Sequence, residues 1–123
     1  MARYLTLAAF GWLTLTGTAH FVIDVVSQHL RGKHMPGPET TLYYGLHSAF
    51  ALGQVLFGLM CLWATRRHPD LLRDPVVATL AYAGAAAWLA LTFFAMNYRE
   101  PRINAGIFIA LLLAATVTVR ARA

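Results

Sequence analysis

The sequence has few charged residues and almost no cysteine. Only 12% of its 123 residues are charged, whereas a soluble domain carries about 25%. A folded chain of this size still exposes much of its surface, and half the usual number of charges cannot cover it. The composition therefore argues against a water-soluble monomer, and a hydrophobic content of 59% argues against intrinsic disorder. The single cysteine, Cys61, excludes an internal disulfide and a cysteine-rich metal or redox centre.

The charges that are present are mostly basic, and the net charge is +5 at pH 7. A basic chain can bind nucleic acid, but in so hydrophobic a chain the Lys and Arg residues are expected to flank membrane spans. We therefore expect the lipid bilayer as a partner and no nucleic acid.

Charged residues are absent from four long stretches of the chain, which cover residues 4–23, 40–65, 75–98 and 103–119. A helix needs about 20 residues to cross a hydrocarbon core about 30 Å thick, and about 17 is the lower limit. All four stretches reach that length, and they occupy most of the chain. The sequence thus predicts an all-α, four-helix transmembrane bundle with up-down-up-down topology and a single domain. The predicted helices span about residues 4–30, 41–66, 75–98 and 103–120.

Several residues mark the ends of these helices. Gly32 is the expected C′ residue of the first helix, and Asp74 with Pro75 forms the expected start of the third. Thr40 or Thr41 could cap the second helix.

Lys and Arg residues also predict the orientation. The two termini and the middle loop carry six of them, and the first and third loops carry four. The excess favours both termini in the cytoplasm.

Polar side chains collect at one end of the predicted bundle. His20 and Asp24 share a face of the first helix, because they are four residues apart. The first two helices form a hairpin, so the end of the first lies level with Tyr43, Tyr44 and His47 at the start of the second. Polar groups in a membrane segment are costly and tend to face the interior or a wet cavity. This end is therefore the expected functional site.

We assign His20, Asp24 and His47 as candidate catalytic residues, because a carboxylate beside an imidazole fixes its tautomer and raises its basicity. Candidate ligand-binding residues are Tyr43, Tyr44 and Gln54 on the second helix, Asn97 at the end of the third and Asn104 near the start of the fourth. The alternative for each is structural. Asp24 could lie among the lipid headgroups, where a charge costs little, and the histidines and Gln54 could simply bond to neighbouring helices.

Metal and cofactor signatures are weak in this sequence. The spacing of the histidines and Asp24 matches no strong metal motif, and a haem held by His20 and His47 has little support. We expect no metal and no resident cofactor, so redox chemistry would need an outside cofactor such as a quinone.

The third helix is expected to end in Phe93-Phe94-Ala95-Met96-Asn97, and a short fourth helix is led by Pro101. Together with the polar first hairpin, this pattern resembles the small DoxX-like bacterial membrane proteins. The resemblance spans most of the chain through hydropathy and spacing. It implies a four-helix protein of a bacterial inner membrane, and some such proteins are associated with membrane oxidoreductase systems. No site residue is carried over from it.

The favoured function is binding of a small lipophilic molecule at the polar end, with possible conversion by acid–base chemistry such as isomerisation or cyclisation. The chain could instead be an accessory or assembly subunit of a larger membrane oxidoreductase complex, or form a homo-oligomer through its small-residue helix faces. A channel or transporter is the least favoured, because the cytoplasmic halves of the helices offer few polar residues.

Overall fold

The computed structural model describes residues 1–122, and within that range all regular structure is helical. Four long helices run over Ala2–Leu30 (α1), Pro38–Arg67 (α2), Pro75–Ala95 (α3) and Glu100–Ala121 (α4). Each is long and apolar enough to cross a membrane. The predicted all-α fold with four long apolar helices is confirmed.

Two of the predicted helix ends are confirmed in detail. Helix α1 ends at Leu30, and Gly32 follows with a φ of 59°. A positive φ of this kind is typical of the residue after a helix, and glycine adopts it without a steric cost. At the start of α3, the carboxylate of Asp74 accepts hydrogen bonds from the backbone N–H groups of Val76 at 2.8 Å and Val77 at 3.3 Å.

Other helix ends differ from the prediction. Helix α2 begins at Pro38 and α4 at Glu100, each about three residues early, because a proline fits the first turn of a helix, where its missing N–H is not needed. Helix α3 ends at Ala95, before residue 98. The guanidinium of Arg102 donates to the carbonyl oxygens of Thr92 and Met96, so two carbonyls at the end of α3 are paired without a further helical turn.

Helices α1 and α2 pack closely and antiparallel. His20 contacts His47, Gly17 lies against Gln54, and Thr14 lies against Gly58. Moving back along α1 therefore means moving forward along α2. Because Gly17 and Gly58 have no side chains, the two backbones can approach each other closely.

Helix α4 packs against both α1 and α3. The indole N–H of Trp12 donates to the Asn104 carbonyl at 3.1 Å, and the Tyr82 hydroxyl donates to Thr116 at 2.8 Å. The hydrophobic core lies around Phe10, whose ring contacts those of Phe57 and Phe108 with centroids 6.0 Å away in each case. These contacts fix α1 between α2 and α4, so the polar end of α1 faces both neighbours.

One turn of α1 is wider than an α-helical turn. Val22–Ser27 is π-helical, with α-helix on both sides. Such turns are rare in proteins and are often found at functional sites. This turn contains the buried Asp24.

Candidate functional site

His20, Asp24 and His47 converge in one hydrogen-bonded chain. The carboxylate Oδ2 of Asp24 lies 3.0 Å from Nδ1 of His20. The other nitrogen of that ring, Nε2, lies 2.8 Å from Nδ1 of His47. All three residues are buried, and His47 is only 2% exposed.

The two hydrogen bonds couple the proton positions of the three groups. When Asp24 is ionised and both rings are neutral, Nδ1 of His20 carries a proton and donates it to the carboxylate. Nε2 of His20 then accepts a hydrogen bond from the protonated Nδ1 of His47. Nε2 of His47 is left unprotonated, with a free lone pair. A change of charge at Asp24 therefore changes which nitrogen of each ring is protonated.

Aromatic rings surround the two histidines. Phe50 lies against His20, with ring centroids 4.9 Å apart. Tyr43 lies against His47 at 4.2 Å and against His34 at 4.3 Å, so its ring sits between a buried and a loop histidine. These contacts hold the imidazoles in place and exclude water from most of their edges.

A cleft of about 350 Å³ opens between α1 and α4, beside this chain. Two of the three residues, His20 and Asp24, line it, and His47 lies behind them. The remaining lining residues come from α1, from the loop before α4 and from the first turns of α4: Thr16, Ala19, Ile23, Tyr98, Glu100, Pro101 and Asn104. Ile23 is 60% exposed. The cleft thus combines an apolar flank with a carboxylate and an imidazole.

The hydroxyl of Tyr98 is buried in this cleft and has no hydrogen-bond partner. Burial raises the pKa of Tyr98 well above its usual range, and the Asp24 carboxylate, which lies close to the hydroxyl without the geometry of a hydrogen bond, adds to the rise. The phenol is therefore neutral and available as a donor at physiological pH.

The structure does not bring all of the predicted ligand-binding residues together. Asn104 lines the cleft, and Tyr43 contacts His47. Tyr44 lies away from the cleft, in a second pocket with His29 and His34. Gln54 is buried farther along α2, against Gly17, and Asn97 is exposed. The structure thus brings Asn104 and Tyr43 to the histidines and leaves Tyr44, Gln54 and Asn97 apart from them.

The donor atoms of His20, Asp24 and His47 lie within 4.8 Å of one another and could surround one metal ion. The ring nitrogens are, however, 2.8 Å apart, which is hydrogen-bond spacing. Two nitrogens on one tetrahedral zinc ion are about 3.3 Å apart, given bonds of about 2.0 Å. Binding an ion would therefore require the rings to separate and their hydrogen bond to break.

Sequence reasoning did not select Tyr98 as a candidate site residue. Its position two residues before an acid and three before a proline gives no sign of burial. The order of the helices could have indicated it, because the loop before α4, which contains Tyr98, lies at the same end of the bundle as His20 and Asp24.

Comparisons with known proteins give no match: no protein-family model, no curated protein and no solved structure is significantly similar to this chain. Its site must therefore be interpreted from its own geometry.

Proposed function

We propose that the protein binds a small lipophilic molecule in the cleft between α1 and α4 and exchanges protons with it, as an isomerase or cyclase does. The observation that supports this is the hydrogen-bonded chain from Asp24 through His20 to His47, two of whose members line the cleft. A carboxylate and two imidazoles held this closely in an apolar bundle are costly to bury, which favours a functional reason for them.

Asp24 is the group that meets the ligand in this proposal, because its carboxylate lines the cleft. It removes a proton from one ligand atom and returns a proton to another. His20 holds the carboxylate by its 3.0 Å contact and orients it toward the cleft.

His47 is a positioning and relay residue, since it does not line the cleft. Its Nδ1 fixes the tautomer of His20. A proton taken up at Nε2 of His47 can move the protons in both hydrogen bonds by one step, which delivers a proton to Asp24. The reverse movement removes one from Asp24. The relay therefore allows the proton held by Asp24 to exchange with one from outside the cleft.

A lipophilic ligand fits the location of the cleft. Its walls are helices long and apolar enough to span a membrane, and the exposed Ile23 forms one edge. A molecule dissolved in the bilayer can reach such a cleft from the side, without crossing the loops. A bacterial inner membrane with both termini in the cytoplasm, and kinship with the DoxX-like proteins, are further parts of this proposal, supported by the distribution of Lys and Arg and by the helix pattern.

The test is a comparison of the small molecules that the purified protein retains. Wild-type protein, Asp24→Asn and the control Asp70→Asn, at the opposite end of the bundle, are purified in mild detergent and extracted for mass spectrometry. We expect a lipophilic molecule in the wild type and the control that is absent from Asp24→Asn. Incubation of that molecule with the wild type in deuterated water should add deuterium to it. Identical extracts from all three proteins would contradict the proposal.

A second candidate function is that of a subunit in a larger membrane complex. Helix α3 supports it, because only 22% of its most apolar window is buried within the chain, compared with 33% for each other helix. Its exposed face includes Ala83, Ala86 and Ala87, small residues that favour close helix contacts. Stoichiometric partner proteins after purification would favour this function, and a single species of one or two copies would oppose it.

A further inference from the structure

Within residues 1–122, the hydroxyl of Tyr98 is the single buried side-chain N or O atom without a hydrogen-bond partner. Buried polar groups in folded proteins are nearly always paired, because an unpaired one loses its bonds to water and gains none in return. The unpaired hydroxyl belongs to a residue that lines the cleft. We therefore expect a bound ligand to supply its missing hydrogen-bond partner.

The cleft's charges restrict what that atom can be. Its lining includes two acids, Asp24 and Glu100, and no Lys or Arg. An anionic ligand group would be repelled by these carboxylates. The buried phenol carries a proton to donate, since burial raises its pKa. A neutral acceptor oxygen satisfies both conditions.

We propose that the Tyr98 hydroxyl donates a hydrogen bond to a carbonyl oxygen of the ligand. The ligand is then an uncharged lipophile that carries a carbonyl group. This inference rests on the proposed function. Tyr98 and Asp24 both line the cleft. The ligand's carbonyl oxygen then lies at Tyr98, and the carbon next to that carbonyl lies toward Asp24.

This arrangement suits isomerisation of a β,γ-unsaturated carbonyl compound. The Asp24 carboxylate takes a proton from the α-carbon, and the C–H electron pair forms a new C=C bond while the carbonyl π pair moves onto oxygen. Tyr98 stabilises that oxygen by its hydrogen bond. Asp24 then returns the proton to the γ-carbon, and the electrons flow back to restore the carbonyl in conjugation. The step consumes no other reactant.

The test uses methyl decyl ketone and the matching alkene, in which a methylene group replaces the carbonyl oxygen. Binding is measured by partition of each labelled compound into nanodiscs with and without the protein. The nanodiscs are made of ether-linked lipids, which lack carbonyl groups, so the infrared stretch of the ketone is visible. Wild type is compared with Tyr98→Phe, which removes only the hydroxyl, and with Tyr4→Phe, which removes an exposed one.

We expect the wild type to prefer the ketone and to shift its carbonyl stretch to lower frequency. Tyr98→Phe should abolish that shift and weaken ketone binding by about threefold to tenfold, the effect of one neutral hydrogen bond. It should leave alkene binding unchanged, and Tyr4→Phe should match the wild type. Thermal melting of each variant checks that it is folded.

Three results would overturn the inference. The wild type could bind ketone and alkene equally, or Tyr98→Phe could leave the carbonyl stretch and the affinity unchanged. The third is that decylamine, measured in the same way as a cationic probe of similar length, could bind where the ketone does not. In each case a retained lipophilic molecule that depends on Asp24 would still support the proposed function. If no lipophile is retained and no probe binds, both proposals fail together.

Discussion

Replacing Gly17 with alanine tests whether the close approach of α1 and α2 holds the two histidines together. A Cβ atom at this position would lie 2.9 Å from the Cβ of Gln54 and 3.2 Å from the backbone oxygen of Ala51. Carbon atoms in good contact are about 3.5 to 4.0 Å apart. Neither neighbour is the free end of a flexible side chain, so the helices must separate by about 0.6 Å or more.

His20 lies three residues beyond Gly17 on the same helix, and its hydrogen bond to His47 spans the same interface. A separation of about 0.6 Å would lengthen that bond from 2.8 Å to about 3.4 Å, beyond the usual range of about 2.7 to 3.2 Å. The bond is therefore expected to break or to weaken strongly in Gly17→Ala.

Gly11→Ala is the matched control, because it lies on the same helix and a Cβ there would have no neighbour within 4 Å. Both substitutions gain the same helix propensity, so that contribution cancels in the comparison. The remaining difference is the overpacking cost, about 1 to 3 kcal/mol. We expect the free energy of unfolding in mixed micelles to be lower in Gly17→Ala than in Gly11→Ala by this amount.

The nitrogen–nitrogen coupling across the His20–His47 bond, measured by NMR with isotope-labelled histidine, reports on the site itself. It should be present in the wild type and in Gly11→Ala, and absent or reduced in Gly17→Ala. If Gly17→Ala is as stable as Gly11→Ala and keeps the coupling, the approach of the two helices does not position the histidines and the reasoning is wrong.

Three further predictions concern other parts of the chain. His47→Ala leaves a buried ring nitrogen of its partner unpaired and should lower the free energy of unfolding by about 1 to 3 kcal/mol. His68→Ala, at the exposed opposite end, should change it little in the same detergent melt. Asp74→Ala removes the N-cap of α3 and should lower the free energy of unfolding by about 0.5 to 2 kcal/mol. The control is Asp70→Ala in the same loop, and equal stabilities of the two variants would show that the cap is unimportant. Tyr98 ionises more readily in the unfolded chain than in the folded one, so the stability that its buried phenol contributes should be present below pH about 10 and fall above it. Tyr98→Phe should weaken this pH dependence, which unfolding measured from neutral to alkaline pH would show.

The fold could be predicted from the sequence because the bilayer imposes a simple requirement on length and charge. Four uncharged stretches of sufficient length were enough to place four helices. The exact ends were harder, because they depend on tertiary contacts. Helix α3 ends where Arg102 reaches its last carbonyls, and that contact crosses from another helix.

The candidate site was predicted in outline and not in detail. Helical spacing places His20 and Asp24 together, and hairpin geometry brings His47 to the same depth. The same reasoning could not show that Tyr44 turns to the loop histidines or that Asn97 is exposed. Side-chain direction within a face depends on packing, which the sequence pattern does not contain. Tyr98 was missed for the same reason, since its burial results from how the last loop lies against α1.

The wide turn in α1 holds one residue more than a regular helix would. Each α-helical residue advances about 100° around the axis, so every side chain after Ser27 is rotated by about that angle from its place in an uninterrupted helix. An alignment of this chain with a distant relative that has a regular first helix should therefore need a one-residue gap within residues 22–27. An alignment without that gap, if it matches the residues before the turn, would displace His29 and every later residue of the helix by one column.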